Sequence, residues 1–222
     1  TPLDSSAASD VYKRQMVIIA GLGNPGPGYA GHRHNVGFML LDAIVEQHGF
    51  SGFREKGSSA IAEGRLGGQK VLLIKPLLFM NRSGLPVREV LDFYKLDPDA
   101  LTVTHDDIDL APGKVRVKLG GGHGGHNGLR DIDQHLGADY RRLRIGVGRS
   151  PHETPGRKLV DSHVLSDFSR DEHSSWLDDL IDCMAREIGS LYSGNDNDFA
   201  TTVARLCPPP KDSNPTEATS KD

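Results

Sequence analysis

The chain alternates between two hydrophobic patterns, one typical of strands and the other of helices. Short apolar runs rich in β-branched residues predict strands at residues 17–19, 101–104, 115–119 and 143–147. Apolar residues that recur every three or four positions predict helices at 36–48, 83–94, 129–136, 177–191 and 199–206. Strands that alternate with helices predict a single α/β domain, with a twisted, mixed and mostly parallel sheet flanked by helices on both faces.

A glycine pair interrupts this alternation and predicts an antiparallel hairpin. Two strand-like runs, residues 60–66 and 70–75, flank Gly67 and Gly68. Both glycines can adopt the positive φ angles that a two-residue hairpin turn requires. The hairpin therefore adds one antiparallel pair of strands to the predicted sheet.

Neither end of the chain carries a helix or strand pattern. Residues 1–15 have no hydrophobic periodicity, and we predict that this extension lies outside the fold. Residues 207–222 contain a proline run followed by polar residues, a composition that predicts a disordered tail. The predicted folded domain is therefore residues 16–206.

Composition adds an expectation about the compartment. No apolar run approaches the length needed to span a membrane, and the amino terminus lacks a secretory pattern. The two cysteines, Cys183 and Cys207, form neither a metal-binding pattern nor a disulfide framework. We therefore expect a cytoplasmic protein with no membrane partner.

The stretch GLGNPGPGYAGHRHNVG, residues 21–37, joins the first predicted strand to the first helix. Gly21, Gly23 and Gly26 satisfy the G-x-G-x-x-G spacing of dinucleotide-binding loops. That fingerprint requires a helix that begins at once, so that its N–H groups meet the pyrophosphate, whereas here the helical pattern begins only at Val36. The stretch therefore predicts a stiff loop that holds His34 at the end of a strand.

Polar residues follow the other predicted strands in the same way. The pairs and triplets at the strand ends or helix starts are His34-Asn35, Met80-Asn81, His105-Asp106-Asp107 and His126-Asn127. Ligands bind at the carboxyl ends of strands in open α/β sheets, so these residues predict one site. No serine lies in a nucleophile elbow, and neither cysteine is near the cluster. If the site is hydrolytic, water is the nucleophile and His34 is the expected base.

The second half of the chain has features suited to an anionic ligand. Residues 120–128, GGGHGGHNG, contain six glycines in nine positions and can either cradle an anion or act as a lid. Between Lys114 and Arg149, eight basic residues oppose three acidic ones, whereas the whole chain has a net charge of −4. This local excess predicts a phosphate-binding face.

Two other functions are compatible with the same residues. A metal-dependent hydrolase would use the histidines and aspartates as ligands, although no helical H-x-x-x-H or cysteine pair organises them. An RNA-binding module without catalysis would use only the glycine-rich loop and the basic face.

Five motifs in register resemble those of the bacterial-type peptidyl-tRNA hydrolase family. They are GLGNPGPGYAGHRHNVG, FMNRSG, HDDIDL, GGGHGGHNGLRDI and RRLRIGVGR, and the resemblance covers residues 16–206. It implies a monomeric α/β enzyme without metal or cofactor. Its expected partner is peptidyl-tRNA, and its expected reaction is hydrolysis of the ester that joins a stalled peptide to the terminal ribose of tRNA.

The resemblance also implies roles for individual residues. His34 matches the catalytic base and Asp106 the carboxylate that orients it. Asn24, Asn81 and Asn127 match the asparagines that bind the peptide backbone and the reacting ester; either Asn81 or Asn127 is the expected catalytic donor to the oxyanion. The remaining matches are pocket residues Tyr29, Met80, Gly124 and His126, and tRNA phosphate-binding residues Arg116, Lys118 and Arg142.

Overall fold

The computed structural model describes residues 16–150, 160–192 and 196–211, which form seven strands and the helices that cover them. The strands are β1 (Met16–Gly21), β2 (Arg54–Lys56), β3 (Ser59–Leu66), β4 (Gln69–Pro76), β5 (Leu101–Asp107), β6 (Val115–Leu119) and β7 (Arg141–Gly146). The α-helices are α1 (Val36–His48), α2 (Gly84–Tyr94), α3 (Asn127–Leu136), α4 (Val160–Val164), α5 (Arg170–Glu172), α6 (Asp178–Glu187) and α7 (Asp196–Leu206). Among these residues, no helix has the length and apolar character needed to cross a bilayer.

The strands form one sheet in the order β2-β3-β4-β1-β5-β7-β6. The four central strands, β4, β1, β5 and β7, run parallel, while the β2-β3-β4 hairpins and the β6 edge are antiparallel. The prediction of a mixed sheet with a parallel centre is confirmed, and so is the hairpin at Gly67 and Gly68, both of which have positive φ. The short strand β2 has no hydrophobic pattern and was not predicted.

Helices pack on both faces of the sheet, as predicted. Successive residues of β1 point to opposite faces, so Ile19 joins one apolar cluster and Ile18 the other. The first cluster contains the apolar faces of α1, α6 and α7, and the second contains those of α2 and α3. Because both faces are covered, the open carboxyl edge of the parallel strands is the place left for a site.

Two predictions of element boundaries were wrong. His105, Asp106 and Asp107 lie inside β5 instead of following it, because pairing with β7 continues as far as Asp107 and Gly146. The helical segment that includes the predicted helix at 177–191 begins earlier, with α5 and a π turn (His173–Leu177), and continues as α6 and a 3₁₀ turn (Ile188–Tyr192). Apolar spacing does not distinguish these kinds of helical turn.

The predicted terminal segments are only partly described. Residues 1–15 and 212–222 lie outside the described residues, so both predictions about them stay predictions. Of the predicted tail, residues 207–211 are described, and Pro209 and Pro210 lie beside Gly113.

One glycine brings the first helix onto the carboxyl edge of the sheet. A Cβ atom at Gly37 would lie 2.5 Å from the Thr104 carbonyl oxygen and 2.6 Å from the Leu22 nitrogen. Only glycine permits this approach of the α1 backbone to the ends of β1 and β5. As a result, His34, three residues before Gly37, comes next to Asp106, two residues after Thr104.

Candidate active site

The loop between β1 and α1 is held by one buried side-chain amide. Asn35, in the 3₁₀ turn Arg33–Asn35, is 2% exposed. Its side-chain oxygen accepts the Asn24 backbone N–H at 2.9 Å, and its NH₂ group donates to the Asn24 carbonyl at 2.9 Å. A single amide thus satisfies both backbone polar groups of Asn24 and fixes this part of the loop against the start of α1.

We expect Asn35→Asp to lower the free energy of unfolding by about 1–3 kcal/mol, because a carboxylate cannot donate to the Asn24 carbonyl and leaves it unsatisfied. Urea denaturation at neutral pH measures this loss. Gln134→Glu, the same amide-to-acid change at an exposed position of α3, is the matched control and should stay within about 0.5 kcal/mol of the wild type. Equal effects of the two changes would contradict the role assigned to Asn35.

Three polar side chains meet at the carboxyl end of β5. His34 Nδ1 lies 2.7 Å from Asp106 Oδ1, and His126 Nε2 lies 3.0 Å from the same oxygen. The side chains are 9%, 2% and 9% exposed for His34, Asp106 and His126. The two imidazole rings also contact each other, with their centroids 4.8 Å apart. The three residues therefore form one compact cluster with a shared acceptor atom.

Asp106 is the charged member of this cluster. Its burial by itself favours the neutral acid, but the neighbouring His34 and His126 imidazoles, which also hydrogen-bond the carboxylate, hold its pKa well below its ordinary value. Asp106 is therefore ionised at neutral pH and can only accept hydrogen bonds.

The hydrogen bonds assign the protons of both rings. Because ionised Asp106 only accepts, His34 carries its proton on Nδ1, which leaves the lone pair on Nε2. His126 Nδ1 accepts the backbone N–H groups of Gly128 at 3.2 Å and Leu129 at 3.3 Å, so it caps the N-terminus of α3. Nδ1 of His126 therefore holds a lone pair, and its Nε2–H donates to Asp106.

These proton positions on His34 and His126 also bear on the alternative that the site is that of a metal-dependent hydrolase. His34, Asp106 and His126 each offer a ligand atom, and these atoms lie within 4.8 Å of one another. A neutral histidine that binds a metal through Nε2 carries its proton on Nδ1 and usually donates it to an acceptor. At His126 that proton would point at two N–H donors, so metal binding would break the cap of α3. The donor set is thus poorly suited to a metal.

A second group of predicted residues lies around Asn24. Its side-chain oxygen accepts the Met80 backbone N–H at 2.8 Å, so the NH₂ end of the amide is the part that can donate to a ligand. Tyr29 packs edge-on against His32 and Phe79, with centroids 5.3 and 6.0 Å away. Phe79 is 55% exposed, so this group has an apolar and accessible border.

Some of the predicted residues line a cavity of about 550 Å³, and the others do not. His34, Asp106, Gly124, His126 and Asn127 all line it, whereas Asn24, Tyr29, Met80 and Asn81 do not. The Asn127 side-chain oxygen accepts a bond from Arg130, and both Asn127 and Asn81 are exposed residues.

Basic side chains line this cavity and the adjoining sheet edge. Lys118, Arg130, Arg142, Arg144 and Arg149 line the cavity. Arg116 and Lys118 are exposed and alternate with the inward-facing Val115 and Val117, so they share one face of β6. The predicted basic face therefore continues directly from the cavity that contains His34.

Arg142 also lines the cavity, but unlike Arg116 and Lys118 it is buried, and its assignment to tRNA phosphate stays a prediction. It is 2% exposed, donates to the Gly122 carbonyl at 2.7 Å and forms an ion pair with Asp133 at 3.0 Å. Its guanidinium also stacks over the Tyr140 ring. Arg142 thus holds the glycine-rich loop through Gly122. Arg144, which lines the same cavity and pairs with Asp107, was counted in the basic stretch but was given no role from the sequence.

No sequence pattern indicated how the loop beside His34 is anchored. Buried Arg33 donates to the Ser166 side chain at 2.8 Å and to the Asp167 carbonyl at 2.6 Å, and it forms an ion pair with Glu172 at 2.6 Å. Glu172 in turn closes a capping box with Ser169. These partners lie more than 130 residues away, so no local pattern could reveal them.

The fold and the site together define the class of protein. A parallel sheet carries a buried histidine–aspartate pair at its carboxyl edge, beside a glycine-rich loop that leads into a helix N-terminus. Among the residues that the structure describes, no serine or cysteine lines the cavity that contains the pair. The fold and these side chains define an enzyme with an α/β fold whose histidine–aspartate pair is suited to general acid–base chemistry.

Comparison with known proteins identifies the family. The peptidyl-tRNA hydrolase family model matches residues 18–209, and the chain belongs to this family. It is 54% identical over 185 residues to a peptidyl-tRNA hydrolase of Chelativorans sp. (83% of this chain, 75% of the relative) and 52% identical over 199 residues to that of Ruegeria pomeroyi (89% and 81%). A solved peptidyl-tRNA hydrolase from Acinetobacter baumannii superposes with a TM-score of 0.78 at 37% identity (87% and 97%).

Proposed function

We propose that this chain hydrolyses the ester that joins a peptide, or an N-acylated amino acid, to the terminal ribose of tRNA. The observation that carries the proposal is the His34–Asp106 pair, whose hydrogen bond leaves the basic nitrogen of His34 on the side away from the carboxylate. Membership of the peptidyl-tRNA hydrolase family supplies the substrate class. Release of tRNA from peptides of stalled translation follows from this reaction.

In the proposed reaction, His34 acts first as a base and then as an acid. Nε2 takes a proton from water while the water oxygen attacks the ester carbonyl carbon, and this gives a tetrahedral oxyanion. Collapse of the oxyanion breaks the bond to the ribose oxygen, which takes the proton back from the His34 imidazolium. The products are the peptide acid and tRNA with a free hydroxyl group, and the imidazole is regenerated.

In this reaction Asp106 ensures that both proton transfers use the same nitrogen of His34, Nε2. Its carboxylate fixes the His34 proton on Nδ1 and stabilises the imidazolium that forms during the reaction, since its low pKa keeps it ionised. His126 donates to the same oxygen and so holds the carboxylate from the other side. We assign His34 and Asp106 the catalytic roles and His126 a supporting one.

For the oxyanion donor we propose Asn127 in preference to Asn81. Asn127 lines the same cavity as His34, and its oxygen is engaged by Arg130, which leaves its NH₂ group as a donor. A fixed donor of this kind contributes about 100- to 1000-fold to the rate. Asn24, Tyr29, Met80 and Asn81 are then left to bind the peptide, and Gly124 lies in the loop that closes the cavity.

Selective cleavage tests the proposal. The protein is incubated with N-acetylated and with free aminoacyl-tRNA, with and without excess chelator, and loss of the ester is followed. We expect loss of the acylated form only, at an equal rate in chelator. Activity abolished by chelator would favour a metal-dependent hydrolase, and salt-sensitive tRNA binding without cleavage would favour an RNA-binding module.

The basic face of β6 gives a separate prediction. We expect the double variant Arg116→Ala and Lys118→Ala to raise KM, to leave kcat within about threefold, and to lower the slope of log KM against log salt concentration by about 2, one for each phosphate that is no longer neutralised. A salt series of initial rates measures this. Lys211→Ala, a single-charge control outside the cavity lining, should leave the slope unchanged. An unchanged slope in the double variant would contradict the assignment.

We also propose that the enzyme works as a cytoplasmic monomer without a cofactor. The proposed substrate arises during translation, and every group that the proposed reaction uses comes from this one chain. Size-exclusion chromatography with light scattering should give a mass near 24.1 kDa.

A further inference from the structure

A third histidine lies beside the cluster and takes no part in the proposed chemistry. His105 precedes Asp106 in β5 and is 3% exposed. Its ring packs edge-on against the His126 ring, with centroids 5.0 Å apart and planes 74° from each other. His105 therefore contacts one of the two side chains that hold the Asp106 carboxylate.

The protonation state of His105 follows from its hydrogen bond. Nδ1 lies 2.7 Å from the Asp106 carbonyl oxygen, which can only accept, so Nδ1 carries the proton. Burial, and next the neighbouring His126, lower the pKa of His105 to about 3, against the raising effects of Asp106 and Asp107. Nε2 is a buried acceptor that has no partner among the described residues. An unpaired buried polar atom is destabilising and offsets part of what the Nδ1–H bond contributes to stability.

The sheet topology explains why the Asp106 carbonyl needs a side-chain donor. The Thr104 carbonyl points towards β1 and accepts the Leu22 N–H, which is the last backbone bond on that side of β5. The Asp107 carbonyl points the other way and accepts the Val147 N–H. Because carbonyls alternate along a strand, the Asp106 carbonyl points towards β1 at a level that β1 no longer reaches. His105 supplies the missing donor.

We propose that His105 is a positioning residue, which fixes the Asp106 backbone through Nδ1–H and the His126 ring through its edge, and thereby aims the carboxylate at His34. It touches neither the reacting ester nor His34 in this scheme. The inference rests on the proposed function for its kinetic consequence, but the geometry of the His34–Asp106 hydrogen bond can be measured without substrate.

Two substitutions separate the donor from the ring. His105→Phe keeps an aromatic ring of similar shape, removes the unpaired Nε2 and loses the donor. His105→Asn keeps an N–H at nearly the position of Nδ1 and loses the ring. If the Nδ1–H donor of His105 positions Asp106, His105→Phe should lower kcat by about tenfold or more with KM unchanged, because small misplacements of catalytic groups are costly. His105→Asn, which keeps a donor, should have a kcat within about threefold of the wild type.

The melting temperatures of the two variants should follow the opposite order to their kcat values. The melting temperature of His105→Phe should stay close to that of the wild type, because removal of the unpaired Nε2 offsets the loss of the donor to the Asp106 carbonyl, whereas His105→Asn should melt lower because it leaves a cavity. Val103→Ala, two residues earlier on the same face of β5, is the matched control. It should lower the melting temperature and leave kcat unchanged, measured at a temperature where all variants are folded.

The substrate-free measurement is the NMR signal of the His34 Nδ1 proton. We expect this signal to weaken or to move upfield in His105→Phe, and to stay in place in His105→Asn and Val103→Ala. An unchanged signal and full activity in His105→Phe, or kcat values that simply follow melting temperature, would overturn the inference. If the wild type cleaves no ester, the proposed function fails, while the NMR comparison still decides whether His105 positions Asp106.

Discussion

Replacing His34 by alanine is expected to reduce kcat for N-acylated aminoacyl-tRNA by about 100- to 10,000-fold, the usual contribution of a positioned general base. The ester remains bound by groups other than the imidazole, so KM should change by less than about threefold. The side chain lies at the edge of the cavity, with 9% of its surface exposed, so its loss should leave the protein folded. Single-turnover ester cleavage and circular dichroism measure the two effects.

A histidine outside the cluster, His135, provides the control for this prediction. His135 lies in the last turn of α3 and outside the cavity lining, where it bonds the Asp131 carbonyl. His135→Ala should retain kcat within about threefold. Near-normal cleavage by His34→Ala in the same assay would reject the general-base role, and equal losses in both variants would point to a general effect on folding.

Asp106→Asn is expected to reduce kcat by about 100- to 10,000-fold without unfolding the protein. The asparagine oxygen can occupy the position of Oδ1 and still accept the N–H groups of His34 and His126. What is lost is the negative charge that stabilises the imidazolium. The free energy of unfolding should change by less than about 2 kcal/mol, since removal of a buried charge offsets an unsatisfied NH₂ group.

The pH profile separates this charge effect from a loss of structure. In the wild type, Asp106 stays ionised because its pKa is held well below its ordinary value, so the fall of kcat in acid does not report protonation of Asp106. Removing the carboxylate makes the His34 imidazolium less favourable, so the acid limb of the residual activity should move to lower pH. Asp107→Asn, the neighbouring change, should leave the limb in place. An unmoved limb in Asp106→Asn would contradict the pairing.

The alternation of hydrophobic patterns was sufficient to predict most of the fold. Burial of both sheet faces makes strands and helices visible as periodicity, and the glycine pair at Gly67 and Gly68 marked the hairpin because both need positive φ. The end of β5 was misplaced because its last residues are polar. They remain in the strand because β7 pairs with them, and pairing between distant segments leaves no local pattern.

The sequence indicated which residues come together at the site, but it said less about how their side chains are arranged. Residues at strand ends converge by topology, so His34 and Asp106 were found although 72 positions separate them. Basic residues, in contrast, look alike in a sequence whether they face solvent or the interior. Arg116 and Lys118 are exposed, but Arg142, in the same charge cluster, is buried against Asp133 and Tyr140.

The sequence by itself determined most of the strands and helices, the glycine pair of the hairpin and which polar groups gather at the sheet edge, since hydrophobic periodicity and turn residues depend on near neighbours along the chain. Only the tertiary structure decided which nitrogen of His34 and of His126 carries the proton. It also decided that Asn35 bonds both backbone groups of Asn24, that His105 donates to the Asp106 carbonyl and that the Arg142 side chain is buried. The physical reason is that a hydrogen bond or a burial depends on partners from other elements, and these meet only when the helices close over the sheet.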